Sequence, residues 1–393
     1  MDVRGGALLR NLQRIREAVG PDAALIPMVK ADAYGLGMSQ AVGALRPAKP
    51  WGWGVATVEE GALLREMEPE RPILVVAPVA PDSVPAGVAA RLSFGISDVS
   101  FLSRVAREAE RQDRDVAVHL EVDTGMGRAG FDWRTVREWG PRVAELMGGR
   151  VRCEGAFTHF HSADLEGAES VKVQAERFGD AVSALPKGAG AAMLHLCNSA
   201  AALRTPELAQ GGVRPGIFLY GGRPGEGLPE PEEVLAVRAR ITLVRQVPPG
   251  TTVGYGATYR AGGWERWATV AIGYGDGIRR ALSNRGEALV AGRRVPIVGR
   301  ISMDMTVVEI TDVPGIEPGD TVTFLGSDGG ETITLEEMAR HLGTNNYEVL
   351  TGFTPRLPRV WQDAEGPHPQ SSVDREPDQR PDITQDHMDP DGD

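Results

Sequence analysis

In ALIPMVKADAYGLG, residues 24–37, a lysine follows an apolar run and precedes a glycine-punctuated turn. Leu25, Ile26, Met28 and Val29 place Lys30 at the C-terminal end of a buried strand, where loss of water lowers an ammonium pKa and leaves a nucleophilic amine. That is the placement of a lysine that condenses with a carbonyl. Two further stretches offer an anion site. LHLCNSA brings Asn198 and Ser199 to the end of one strand, and VRPGIFLYG brings backbone amides around Gly216 and Ile217 to the end of another. Glycine allows close approach of backbone to a phosphate oxygen, and amides at a helix start carry favourable partial charge. Each stretch alone is ordinary turn chemistry; at consecutive strand ends the two make a phosphate site.

These groups need a scaffold that aligns strand ends. Short apolar strands near 24–30, 51–57, 72–77, 92–97, 116–122, 152–159, 193–198 and 213–219 alternate with helix-length segments. Eight such strands within about 220 residues fit a (β/α)₈ barrel, whose reactive groups lie at the C-terminal strand ends and whose phosphate binds after strands seven and eight. The first strand-to-helix turn lacks GxGxxG, which removes the main support for a dinucleotide fold. Leu8, Leu12 and Ile15 are spaced as one face of an amphipathic helix over 7–18, stopped by Gly20-Pro21. After Gly222 the texture becomes strand runs divided by glycine and proline, an all-β domain with a helix at 335–343 opened by Thr334 as N-cap. The expected organisation is α/β: a TIM-like barrel over 1–222, a mostly β domain over 223–363 entered through RPGEGLPEPEE, and a tail over 364–393.

The chain has 393 residues and a formal net charge of -12, which argues against nucleic acid or an anionic membrane surface as partner. Nine Asp/Glu against two Arg fall in the tail, whose composition predicts disorder. Cys153 and Cys197 sit in apolar runs, not at metal-ligand spacing, and read as core thiols; no metal is expected. No signal-peptide core or membrane-spanning run occurs, so a cytoplasmic protein is expected.

VKADAYGLG, EVDTGMGRAG (121–130), FTHFHSAD (157–164), CNSAA (197–201), GVRPGIFLYG (212–221), VGYGATY (253–259), AIGYGDG (271–277), SNRG (283–286) and VGRISMDM (298–305) resemble, in order, the motifs of alanine racemases. The resemblance covers residues from about 7 to 360. It implies pyridoxal 5'-phosphate as cofactor and interconversion of L- and D-alanine, supplying D-alanine for peptidoglycan. It also implies two bases on opposite faces of the substrate Cα, Lys30 on one and Tyr255 on the other. An unperturbed tyrosine is a poor base at neutral pH. The resemblance offers His159 as the neighbour that tunes it, hydrogen-bonded to Tyr255 and Arg214. Arg214 is placed against the cofactor's pyridine nitrogen, where a permanent cation opposes ring protonation and limits side reactions. Tyr34 is expected to reach the phosphate. Arg128 is expected to bind the substrate carboxylate or the Tyr255 phenol, and Met303 and Asp304 to contact the carboxylate. Asp164 and Tyr274 fall at the entrance. By the same resemblance Tyr255, Tyr274, Met303 and Asp304 come from a second subunit of a homodimer.

Three positions depart from the family pattern. The chain starts almost at its first helix, so the usual leading strand is expected to be absent or the start codon misplaced. Where the family often carries a lysine made anionic by carbamylation, this chain has Glu121, expected to supply the charge directly and to orient Arg128. Pro355 falls where many family members have a tyrosine that donates to the phosphate and helps narrow the entrance, which predicts weaker cofactor retention, a wider entrance, or both, with serine turnover raised relative to alanine. A basic-amino-acid decarboxylase of related fold and a non-catalytic pyridoxal-phosphate-binding protein are the competing readings. The former is disfavoured by Arg214, Tyr255 and the domain order, and the latter by the β domain. A broad-specificity amino-acid racemase stays open, because pocket volume is not legible in sequence.

Overall fold

The computed structural model describes residues 1–209 and 211–362; the acidic tail lies outside the described residues. In chain order the first half comprises β1 (Asp2–Arg4), α1 (Gly5–Val19), β2 (Ala24–Leu25), α2 (Lys30–Gly35), α3 (Met38–Leu45), β3 (Trp53–Val55), α4 (Val58–Met67), β4 (Ile73–Val75), α5 (Val84–Ala89), β5 (Ser93–Ile96), α6 (Val99–Gln112), β6 (Val116–Asp123), β7 (Phe131–Asp132), α7 (Val136–Leu146), β8 (Val151–Phe157), α8 (Glu169–Ser183), β9 (Met193–His195), α9 (Ser199–Arg204) and β10 (Gly212–Val213).

Strands β3, β4, β5, β6, β8 and β9 pair in parallel, in that order, and β10 pairs in parallel with β2. Parallel bridges Met28↔Gly54 and Cys197↔Val213 join the two sets, closing an eight-stranded barrel. Its strands are short apolar runs such as Ile73-Leu74-Val75, all fully buried, as expected where both faces are covered. The helices outside follow from their patterns and caps. Asp98 accepts from the Phe101 amide at 2.8 Å and opens α6, which buries Phe101, Leu102, Val105 and Ala109 on one face. Thr57 and Glu60 form a reciprocal capping box at the start of α4.

The second half contains β11 (Leu235–Val247), β12 (Thr252–Val253), β13 (Tyr259–Arg260), β14 (Glu265–Val270), β15 (Glu287–Val290), β16 (Arg293–Pro296), β17 (Thr306–Glu309), β18 (Thr321–Asp328), β19 (Glu331–Ile333), α10 (Leu335–Leu342), α11 (Asn346–Thr351) and β20 (Val360–Gln362). The long β11 is the spine, antiparallel to β14, β18 and β1. Thr334 caps α10 as anticipated, accepting from the Glu337 amide at 3.1 Å. No helix among the described residues is long and apolar enough to cross a membrane.

Two expectations need correction. The leading strand is present: Asp2–Arg4 pairs antiparallel with β11 and parallel with β20, with Val3 fully buried. Its partners lie more than 200 residues away, so no local pattern announces it. The strand expected over 24–30 ends at Leu25, and Lys30 instead begins a left-handed turn. Ala31, Asp32, Ala33 and Tyr34 all have φ between 52° and 56°. For L-residues this costs about 1–2 kcal/mol each, so neighbouring structure must hold the turn. Asp32 helps by accepting from the Met38 amide at 2.7 Å. The β domain braces the far side, where Arg359 donates to Gly35 O through Nε at 3.0 Å and Nη2 at 2.9 Å.

Candidate active site

At the C-terminal ends of the barrel strands lies a cavity of about 830 Å³. Lys30, Tyr34, Glu121, Arg128, His159, Asp164, Asn198, Ser199, Arg214, Gly216 and Ile217 all line it. They come from five separate stretches of chain, and the barrel brings them together. Burial, followed by the nearby Arg128 cation, lowers the Lys30 pKa, while Glu60 pulls it the other way.

One wall forms an oxygen cup. Ser199 Oγ accepts from the Gly216 amide at 2.8 Å, and Asn198 caps α9 by accepting from the Ala201 amide at 3.0 Å. A Cβ on Gly216 would lie 2.2 Å from the Tyr34 hydroxyl, so glycine is what lets that hydroxyl stand over the cup. Tyr34 stacks on Tyr220 at 4.5 Å, and Tyr220 donates to Met28 O at 2.7 Å. Burial pushes the Tyr34 phenol well above its ordinary pKa, keeping it a hydrogen-bond donor.

The floor is Arg214. It donates through Nη1 to His195 Nδ1 at 2.9 Å, through Nη2 to Thr158 O at 2.6 Å, and also to His195 O. Its guanidinium lies 5.0 Å from the Phe157 ring centroid. Burial lowers the Arg214 pKa to about 10, which leaves it cationic at neutral pH. His195 Nε2 meets His119 Nδ1 at 2.8 Å, and His119 Nε2 meets Glu154 Oε2 at 3.3 Å. Because arginine only donates, His195 Nδ1 must accept; its Nε2 proton then goes to His119, whose Nε2 proton goes to Glu154. The tautomers of two buried histidines follow from one cation. Burial and Arg214 hold His195 well below its usual pKa, consistent with that neutral relay.

His119, His195 and Glu154 were not anticipated. Their signal was present: His119 precedes Glu121 by two residues on β6, so both face the same side, and His195 stands in the same relation to Cys197.

Other expectations meet a different geometry. Glu121 is buried and accepts from Ser97 Oγ at 2.8 Å, whereas Arg128 is exposed and has no hydrogen bond within the described residues. Glu121 thus acts on Arg128 through the field only. Burial raises the Glu121 pKa, opposed by Ser97, Arg214 and Arg128. His159 lies 3.5 Å from Arg214 Nη2, a marginal contact, and burial plus the cations Arg214, Arg128 and Lys30 push its pKa down to about 3. Tyr255 is 70% exposed and outside the cavity, as are Tyr274, Met303 and Asp304. Within one chain Tyr255 therefore meets neither Lys30 nor His159. Tyr274, Met303 and Asp304 share one surface: the Tyr274 amide bonds to Ser302 O at 3.0 Å and the Gly275 amide to Met303 O at 2.9 Å, and Arg356 joins Asp304 to Asp276 at 2.7 Å each. Pro355 is also outside the lining, but Tyr347 of α11 is part of it, with its ring 6.2 Å from that of Tyr34. Cys197 is buried and Cys153 half-buried; both are unpaired.

A closed barrel whose strand ends gather a desolvated lysine, a buried arginine and an oxygen cup beside a glycine offers the groups that a pyridoxal-phosphate cofactor needs, and the residues present fit that cofactor. Comparison with known proteins carries this further. The alanine racemase N-terminal domain matches residues 3–224 and the alanine racemase C-terminal domain residues 234–361. The chain is 36% identical over 362 residues to an alanine racemase of Carboxydothermus hydrogenoformans, covering 89% of this chain and 98% of the relative. It is 37% identical over 360 residues to one of Symbiobacterium thermophilum, covering 90% and 94% respectively. Among solved structures, alanine racemase from Streptomyces coelicolor A3(2) superposes with a TM-score of 0.85 at 33% identity, over 92% of this chain and 97% of that one. The alanine racemase of Bartonella henselae with covalently bound pyridoxal phosphate gives a TM-score of 0.83 at 26% identity, over 92% and 98%. The chain belongs to the alanine racemase family.

Proposed function

We infer that the protein interconverts L-alanine and D-alanine with pyridoxal 5'-phosphate, supplying D-alanine for the cell wall. The observation that carries this is the convergence of Lys30, Arg214 and the Ser199–Gly216–Tyr34 cup in one cavity at the barrel strand ends. When bound, the cofactor supplies an electron sink for the negative charge that develops at the substrate Cα. Lys30 would anchor the cofactor and, with its ammonium pKa lowered by burial, hold or release a proton on one face of Cα. The Ser199 and Tyr34 hydroxyls would bind phosphate oxygens, and the Gly216 amide, which donates to Ser199 Oγ, would orient that hydroxyl toward them. Arg214 keeps a fixed cation beside the pyridine nitrogen, and the His195–His119–Glu154 relay holds its guanidinium in place. Arg128 has an uncommitted guanidinium that suits a substrate carboxylate.

The opposite face of Cα needs a second proton carrier, and Tyr255 is our assignment. Its exposure, and that of Tyr274 and Met303, supports a homodimer in which these residues complete the partner's cavity. We assign the barrel to residues 1–222 and the β domain to 223–363, and place the protein in the cytoplasm, where two unpaired thiols are at home.

The test is L-to-D conversion of alanine by the purified protein, together with its cofactor absorbance. Lys30→Ala should abolish both the covalent linkage and turnover. A wild-type protein that takes up no cofactor would remove the whole reading.

A further inference from the structure

The left-handed turn that follows Lys30 is held by a residue of another element. Glu60 is the third residue of α4, and its carboxylate gathers three backbone amides. Oε1 accepts from Ala31 N at 2.6 Å; Oε2 accepts from Ala56 N at 2.8 Å and Thr57 N at 3.3 Å. Helix capping explains the Oε2 bonds, since the reciprocal Thr57 Oγ1 bond from the Glu60 amide, at 3.2 Å, completes the box. It does not explain the bond to Ala31, which is the shortest and reaches across 29 residues. Ala31 is the first residue of the turn with positive φ, and its amide is the one adjoining Lys30.

The geometry points to Glu60 as a positioning residue for Lys30: its carboxylate pins the amide next to the lysine, fixes the strained turn that aims the amine, and sets a negative charge beside it. This rests on the assignment of Lys30 as the cofactor lysine. The other charged groups that act on the Lys30 amine are the cations Arg128 and Arg214, and His159, held neutral, feels the lysine in turn; Tyr34, Glu121 and Asp164 line the same cavity, with Glu121 set against Arg214 and Arg128. Glu60 is the carboxylate that opposes the two arginines at the lysine itself.

Cofactor affinity of the full-length protein, followed by absorbance across pH, tests this. Glu60→Ala removes the grip and the charge and should weaken affinity about tenfold, the scale of one hydrogen bond to a charged group, while raising amide exchange at Ala31. Glu60→Gln keeps an oxygen for Ala31 but not the charge. The ammonium of Lys30 is then less favoured, so the acid limb of cofactor binding should move to lower pH. Thr57→Ala weakens only the cap and should lower the melting temperature while leaving both readouts as in wild type. The role is overturned if Glu60→Gln keeps the wild-type acid limb and Glu60→Ala the wild-type affinity, or if Thr57→Ala reproduces their effects. Lys30→Ala is the reference. If that variant binds cofactor as wild type does, the active-site assignment fails; if it loses the linkage while the Glu60 variants match wild type, only the positioning role fails.

Discussion

Gly216→Ala adds one methyl group to the cup. Gly216 does not have positive φ, so its backbone accepts alanine and the whole effect is steric. The new Cβ would lie 2.2 Å from the Tyr34 hydroxyl and 3.0 Å from Tyr34 Cζ, against an ordinary contact beginning near 3.4 Å, so the hydroxyl must retreat by about 1.2 Å. The ring has little room to do so. It is stacked on Tyr220 at 4.5 Å, and Tyr220 is itself tied to Met28 O at 2.7 Å. Overpacking of this kind costs about 1–3 kcal/mol, reduced by about 0.4–1 kcal/mol because alanine restricts the unfolded chain. A net loss of about 1–2 kcal/mol in stability is expected by denaturant unfolding. The loss in cofactor affinity should be larger. A displaced Tyr34 forfeits a bond to an anionic oxygen worth about 1.5–3 kcal/mol, roughly tenfold to 150-fold in dissociation constant. Tyr34→Phe forfeits the same bond without the clash. In a double-mutant cycle Gly216→Ala should therefore do much less on the Tyr34→Phe background, with a coupling of about 1 kcal/mol or more. Additive effects, or wild-type affinity in Gly216→Ala, would refute the arrangement of hydroxyl over glycine.

Glu121→Gln keeps an acceptor for Ser97 but no charge in the cavity, so turnover should fall while bicarbonate leaves the wild-type rate unchanged; a bicarbonate-dependent wild type would end the idea that Glu121 supplies its charge unmodified. Because burial raises the folded-state pKa of Glu121, its contribution to stability is complete below the ordinary carboxylate value and is lost as pH rises through the folded value. Glu121→Gln should therefore gain stability over wild type near neutral pH but not in acid, read from urea midpoints. His159 has the opposite sign: its folded pKa is down at about 3, so its contribution is present above about pH 6.5 and is lost as pH falls toward 3. His159→Asn should flatten the acid limb of the stability profile, and an unchanged limb would remove His159 as its source.

Continuous apolar runs such as Ile73-Leu74-Val75 and the glycine-punctuated turns make the eight barrel strands legible in the sequence, because a strand buried on both faces needs an unbroken apolar run. The barrel rule then carried Lys30, Asn198, Ser199, Arg214 and Gly216 to one end. What escaped has a common physical cause: it depends on partners distant in sequence. Val3 becomes a strand residue only against β11 and β20. Ala31, Asp32 and Ala33 have no local preference for positive φ as a run, and adopt it because Glu60, Arg359 and the Met38 amide hold them there. Tyr255 illustrates the other limit. Its motif is legible, but the place opposite Lys30 that we propose for it would need a second copy of the chain.

The brace from Arg359 to Gly35 spans 324 residues, and Trp361 reaches Leu36 O from equally far along the chain. A left-handed run of four L-residues is uphill by about 4–8 kcal/mol on its own, so it should form only when these contacts arrive. During synthesis the N-terminal segment emerges first and waits for the last residues of the β domain. A growing polypeptide would thus carry Lys30 unaimed and in water until residues 359–361 have been made, and the lowered pKa that burial gives its amine would arise only with the contacts that hold the turn.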